Sequence, residues 1–176
     1  MSNIRFQASI SQIGSWTLLR LPESVSKSLP SRGATLIEGT LKNVHFLAVL
    51  EPDGKKSHWF KLDEPLIKAA EIKKGDVVEL QIEPSKAWPE PAVPSDITKA
   101  LRANQTINAL WMDITPMARW DWIRWIRSTK NPETRKRRIE VAFDKLQNGE
   151  RRPCCFNRNL CTEPEISHNG ILLEPS

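Results

Sequence analysis

Three groups of residues in this 176-residue chain have types and spacings that could do chemistry. The first is the pair His45 and His58, set among strand-forming residues. If Asp53-Gly54 is a two-residue turn, His58 faces Val49 and His45 faces Leu62. The imidazoles then share a sheet face but stand four positions apart, about 13 Å at strand rise. They cannot share a metal or a proton. His58 alone, between Ser57 and Trp59, reads as a structural hydrogen-bonding residue and is also a ligand-binding candidate. The second group is Cys154, Cys155, Cys161 and His168. Adjacent cysteines pair only through a strained ring, and intervals of six residues are not a zinc spacing. Neither a disulfide framework nor a metal site is expected.

The third group combines arginine and tryptophan. Over 132–147, Ile139, Ala142, Phe143 and Leu146 form a helical apolar stripe, and Arg135 lies one turn earlier on the same stripe. A guanidinium on an apolar seam needs a carboxylate or carbonyl partner, for which Asp113 and Asp121 are the candidates. The pair is either a salt bridge locking helices or part of a site for an anion. Upstream, Met117, Trp120, Trp122, Ile123, Trp125 and Ile126 cover more than half of a helix, too wide for one neighbour. Trp122 and Trp125 are core, or they line an open groove with indole N–H groups as anchors. Lys136, Arg137 and Arg138 read as a solvated face. The alternative is a helix-turn-helix that turns them to nucleic acid, which Glu133 and Glu140 dilute. Arg32, beside Gly33, is a further anion-binding candidate. No glycine-rich phosphate loop or nucleophile-elbow motif is present. We therefore expect no catalytic residues, no enzyme activity and no cofactor.

The elements that must position these residues change character along the chain. Ile4, Phe6, Ala8 and Ile10 alternate as in a half-buried strand, and Trp16–Leu21, Thr35–Lys42 and Val44–Leu50 continue the pattern. Glu51-Pro52-Asp53-Gly54 is a turn signal, so Lys56–Leu62 should complete a hairpin. Phe46, Leu50 and Trp59 are expected on one face of that hairpin and Leu47, Val49, Phe60 and Leu62 on the other, both buried. Short helices are expected at Glu23–Leu29 and Pro65–Ala70, and a last strand at Val77–Glu83. Four prolines between Pro84 and Pro94 mark a stiff seam. Three helices should follow: Asp96–Leu110, one capped by Thr115-Pro116 and reaching Ser128, and one opened by Asn131-Pro132 and reaching Gln147.

Composition permits this plan and little more. Hydrophobic content of 39% and charged content of 27% are those of an ordinary globular chain. A net charge of +5 permits an anionic partner without requiring one. No run is long enough to span a membrane or serve as a signal peptide, so a cytoplasmic location is expected.

The motifs resemble a known family. Arg124-Trp125-Ile126, Lys130, Pro132-Glu133-Thr134-Arg135 and Arg137-Arg138-Ile139 look like the YdeI/OmpD-associated, bacteriocin-protection helical domain. Phe6, Ala8, Leu21-Pro22, Val25, Arg32-Gly33, Gly39-Thr40, Pro52, Gly54, His58, Lys68-Ala69-Ala70 and Gly75-Asp76 look like its usual companion, the domain of unknown function 1905. The closing Pro153-Cys154-Cys155-Phe156-Asn157 resembles one branch. The resemblance implies a double-split β-barrel, akin to AbrB-type transcription factors, and a role in stress or bacteriocin protection. It carries over no catalytic residues. Asn43-Val44 replaces a common Asn-Gly, so a looser or longer turn is expected there. Trp122 replaces a common tyrosine and removes a hydroxyl.

The resulting expectation is an α+β protein. A small double-split-type barrel occupies 1–86, a proline-rich linker 87–95, a three-helix domain 96–157 and a mobile tail 158–176. It should be a monomer or dimer and bind a small anionic or amphipathic ligand or peptide between barrel and helices. The alternative is a nucleic-acid-binding regulator.

Overall fold

A computed structural model describes residues 3–153 and 157–175. The chain divides into two units. One comprises residues 1–87 with 158–161 and 166–176, and the other residues 88–157 with 162–165.

The first unit is a closed antiparallel barrel of six strands in the order β1-β2-β5-β4-β3-β6. These are β1 (Ile4–Ile13), β2 (Trp16–Arg20), β3 (Thr35–Leu41), β4 (Val44–Pro52), β5 (His58–Lys61) and β6 (Val77–Pro84). Closure depends on β1 changing partner along its length. Ile4 to Ser9 pair with β6, and Ile10 to Ile13 pair with β2. Helix α1 (Glu23–Lys27) follows β2, and α2 (Glu64–Ala70) follows β5. The interior is Ile10, Leu19, Ile37, Leu41, Phe46, Leu50, Phe60, Leu62, Leu80 and Ile82. Phe46 and Phe60 stack within it with centroids 5.4 Å apart. Gly39 lets β3 and β6 close up, since a Cβ there would lie 1.9 Å from the Gln81 carbonyl oxygen.

The 44–62 segment departs from the expected hairpin. Asp53 to Ser57 form a longer loop, and β4 meets β5 only at Glu51–Trp59 and Pro52–His58. Phe46, Leu50, Phe60 and Leu62 therefore all face the barrel interior, Trp59 joins a separate cluster, and Leu47 is 46% exposed. The turn before β4 is tight, not loose. Leu41 pairs with Val44, and Lys42 and Asn43 take the positive φ values of 49° and 67° that a two-residue hairpin requires. The departing residue, Val44, lies just after the turn.

The second unit contains four helices where three were expected: α3 (Ser95–Arg102), α4 (Gln105–Asp113), α5 (Pro116–Arg127) and α6 (Pro132–Gln147). The segment read as one helix over 96–110 breaks because the Asn104 side chain caps a new helix by accepting from the Ile107 amide. Thr115 and Asn131 cap α5 and α6 as their sequence contexts require. Ile97, Leu101, Ile107, Trp111, Trp122, Ile126, Ile139 and Leu146 make this unit's core. Among the described residues no helix is long and apolar enough to cross a membrane.

The segment after Arg158, expected to be a mobile tail without regular elements, instead forms β7 (Ser167–His168) and β8 (Ile171–Leu172). Cys161, Ile166 and Leu172 are buried with Ile13, Leu18 and Trp59. These contacts are invisible to periodicity because the strands are two residues long.

Candidate functional site

Local structure around α1 brings Ser26, Arg32 and His58 together. Val25 and Ser26 donate their amides to the Pro22 carbonyl, which winds α1 straight off the end of β2. Ser26 then faces the first residue of β5. Its Oγ lies 2.6 Å from His58 Nδ1, and His58 Nε2 lies 2.8 Å from the Gly33 carbonyl oxygen. A carbonyl only accepts, so Nε2 carries the proton, and Nδ1 accepts from the Ser26 hydroxyl. Arg32 Nη1 donates to Ser26 Oγ at 3.3 Å, and Nη2 donates to the Ser26 carbonyl. A serine beside a histidine that is oriented by a third group has the outline of an activated nucleophile. Here both side chains are fully buried, and the hydroxyl is committed to the imidazole. The network holds Arg32 in place.

A second network shapes the loop before His58. Asp53, fully buried, accepts from the amides of Lys55 at 2.6 Å and Ser57 at 2.9 Å and pairs with Arg20 at 2.9 Å. Burial pushes its carboxyl upward, but those two amides and the Arg20 guanidinium outweigh it, leaving the group below the ordinary carboxylate value. The Asp53 carbonyl accepts from the Leu172 amide, and Lys55 pairs with Glu174 at 3.0 Å. The tail is thereby tied to the loop. Gly54, at φ 78°, allows the contact, since a Cβ there would lie 2.2 Å from the Gly170 carbonyl oxygen.

The α1 region, this loop and the tail border an open pocket of about 550 Å³. Its walls are Lys27, Arg32, Pro52, Gly54, Lys56, Ser57, Asn159 and Leu160. Among the described residues three cations and no acid line it, Lys27 also pairing with Glu23 at 3.4 Å, and Pro52 and Leu160 supply apolar surface. Arg32 therefore lines a pocket, whereas His58 supports it from beneath. His45 and His58 are in different surroundings: His45 is exposed and 3.7 Å from Glu38, and His58 is buried. The shared face expected for them is lost with the longer loop.

The candidates in the helical unit have internal partners. Arg135 pairs with Asp96, Nε to Oδ2 at 2.5 Å, rather than with Asp113 or Asp121. Those two acids pair with Arg151 and Arg152. Arg135 thus ties α6 to the first turn of α3, and holds the Asp96 carboxyl below its ordinary value by hydrogen bond and charge. Trp122 is fully buried and donates Nε1 to the Arg151 carbonyl at 3.0 Å. Trp125 is half-buried, with the Arg138 guanidinium 5.6 Å from its ring centroid. Arg138 Nη1 also donates to the Trp125 carbonyl at 2.8 Å and to Ser128 Oγ. Arg138 therefore caps the end of α5 and leaves the solvated face assigned to it. Lys136 and Arg137 share their groove on α6 with Glu133 and Glu140.

Sequence reasoning missed the buried cation Arg119. It holds Glu90 through Nε at 3.1 Å and through Nη2, while Nη1 donates to the Trp111 and Ile114 carbonyls at 3.0 and 2.5 Å. It stitches the proline-rich segment to the end of α4. The signal was present: Arg119, Trp122, Ile123 and Ile126 follow i, i+3, i+4, i+7. Arg124 is also fully buried. Cys154 and Cys155 lie outside the described residues, and Cys161 is buried. Among the described residues no group of three or more histidine, cysteine or acidic side chains could hold a metal ion.

Residues 90–149 match the family model described as bacteriocin-protection, YdeI or OmpD-associated. Residues 6–82 match the model of the domain of unknown function DUF1905. No match was found among curated proteins.

Proposed function

We propose that the chain, which joins a DUF1905 match over residues 6–82 to a YdeI/OmpD-associated match over residues 90–149, is a non-enzymatic binding protein for a small amphipathic anion. The observation that carries the reading is the barrel pocket, where Lys27, Arg32 and Lys56 surround a cavity floored by Pro52 and Leu160. A carboxylate or similar head would meet the cations, and an attached apolar chain would meet the floor. Arg32 is pre-positioned by Ser26, so binding loses little side-chain entropy. Sequestering such a molecule is the form of bacteriocin protection that this pocket supports. The site lies wholly within the barrel unit and uses Arg32 of the residues first singled out.

Calorimetric titration with decanoate, with decanol as the uncharged control, tests the proposal. Decanoate should bind and decanol should bind at least about tenfold more weakly, the value of one charge-assisted contact. The double variant Lys27→Gln/Lys56→Gln should lose most of the decanoate affinity while nearly keeping its melting temperature, because both side chains are exposed and the Lys27–Glu23 pair it removes is a surface one. Equal binding of acid and alcohol, or binding untouched by the variant, would remove the anion from the proposal. The nucleic-acid reading has less support. Arg138 is committed to α5, and acids flank Lys136 and Arg137.

A further inference from the structure

The incomplete pairing of β4 leaves a second site, separate from the cationic pocket. In a two-residue hairpin the residues flanking the turn exchange both hydrogen bonds. Val44, Phe46, Ala48 and Leu50 therefore spend their backbone groups on β3, and His45, Leu47 and Val49 turn theirs to the opposite edge. On that edge β4 pairs with β5 only at Glu51–Trp59 and Pro52–His58, so the ladder stops short of His45, Leu47 and Val49. Natural sheets blunt such edges with lysine, proline or a covering element. Here the edge reads Val-His-Phe-Leu-Ala-Val-Leu, without a formal charge, and Leu47 is 46% exposed.

The edge faces a slot rather than a flat surface. A cavity of about 320 Å³ lies between β4 and a wall made by Phe60, Lys61, Asp63, Pro65, Leu66 and Ala69, from the end of β5 to α2, in which Lys61 and Asp63 balance to no net charge. That geometry selects the occupant. A second folded copy would bring its own β3 along the far side of its β4, where the α2 wall stands. A single extended segment has no such neighbour. We propose that the slot accepts one extended, uncharged peptide strand with alternating apolar residues, hydrogen-bonded to the backbones of His45, Leu47 and Val49. The mode is strand addition: main-chain bonds give affinity, and the side-chain wall reads every second residue.

Amide hydrogen exchange followed by NMR tests this, with a capped seven-residue peptide of alternating valine and serine as probe. In the free protein the amides of His45, Leu47 and Val49 should exchange much faster than those of Phe46, Ala48 and Leu50. The peptide should slow the first set by at least about tenfold. The same peptide N-methylated at alternate backbone nitrogens should not. Leu47→Pro removes one outward donor without touching the β3 ladder and should abolish the effect. Leu47→Lys, a substitution at an exposed position, should weaken it and serves if the proline variant does not fold. Fast exchange that the unmodified peptide leaves unchanged at millimolar concentration would overturn the proposal. So would equal protection by the methylated peptide, or protection in the free protein that rises with protein concentration, which would mean a second copy.

Discussion

His58 Nδ1 and Ser26 Oγ lie 2.6 Å apart with both side chains fully buried, joining β5 to α1 beneath the cationic pocket. A hydroxyl locked to an imidazole and receiving Arg32 is a support for the guanidinium, not a nucleophile open to substrate. Ser26→Ala should therefore cost about 1–3 kcal/mol in chemical denaturation by leaving Nδ1 without its donor. It should also weaken anion binding by freeing Arg32. An unchanged affinity would separate the network from the pocket.

Acid should loosen the tail and the α3–α6 tie. Asp53 and Asp96 both titrate below their ordinary value, Asp53 because backbone amides and Arg20 outweigh its burial, Asp96 because of Arg135. A depressed folded-state value means that the stabilisation is complete above the unfolded value, about 3.9, and is lost as pH falls below it. Unfolding free energy measured between pH 6 and pH 2 should drop in that window. Asp53→Asn should be less stable at pH 6 and show a shallower drop.

Two arginines of similar appearance should differ sharply in value. Arg135 and Asp96 are a quarter and two-fifths exposed, and a double-mutant cycle should find about 1 kcal/mol or less between them. Arg119 is 4% exposed and serves the carbonyls at the end of α4. Arg119→Met should cost about 3 kcal/mol, since those acceptors are left buried. Equal costs in urea denaturation would contradict this ranking.

Gly54 should act as the clasp of the tail. Gly54→Val places a side chain against the Gly170 carbonyl at a positive φ that valine resists. Alkylation of Cys161, followed residue by residue by mass spectrometry, should accelerate in the variant because this buried thiol packs with Leu172 and Trp59. An unaltered rate would mean that the tail does not depend on Gly54.

The barrel strands were legible because Ile4, Phe6, Ala8 and Ile10 alternate, and the caps at Thr115 and Asn131 because each stands before a proline. Asn104 carried the same signal without a proline, and the spacing of Ile97, Leu101 and Ile107 masked it. The candidate site was legible in residue type only. Arg32 was singled out beside Gly33, but its anchor, Ser26, and the histidine below it come from segments 32 residues apart, which no local pattern joins. The pocket wall from Asn159 and Leu160 depends on the tail packing against a loop, a tertiary event. Arg135 drew attention by lying on an apolar stripe, yet a helix-end arginine can reach sideways, as it does to Asp96.

The proposed anion pocket is lined by Lys27, Arg32 and Lys56 and bordered by Asn159 and Leu160 of the tail. Backbone amide shifts during a decanoate titration locate the bound anion. Saturable shifts are expected at Lys27, Arg32, Gly54, Ser57, Asn159 and Leu160, absent with decanol. Saturable shifts elsewhere, or none at all, would contradict it.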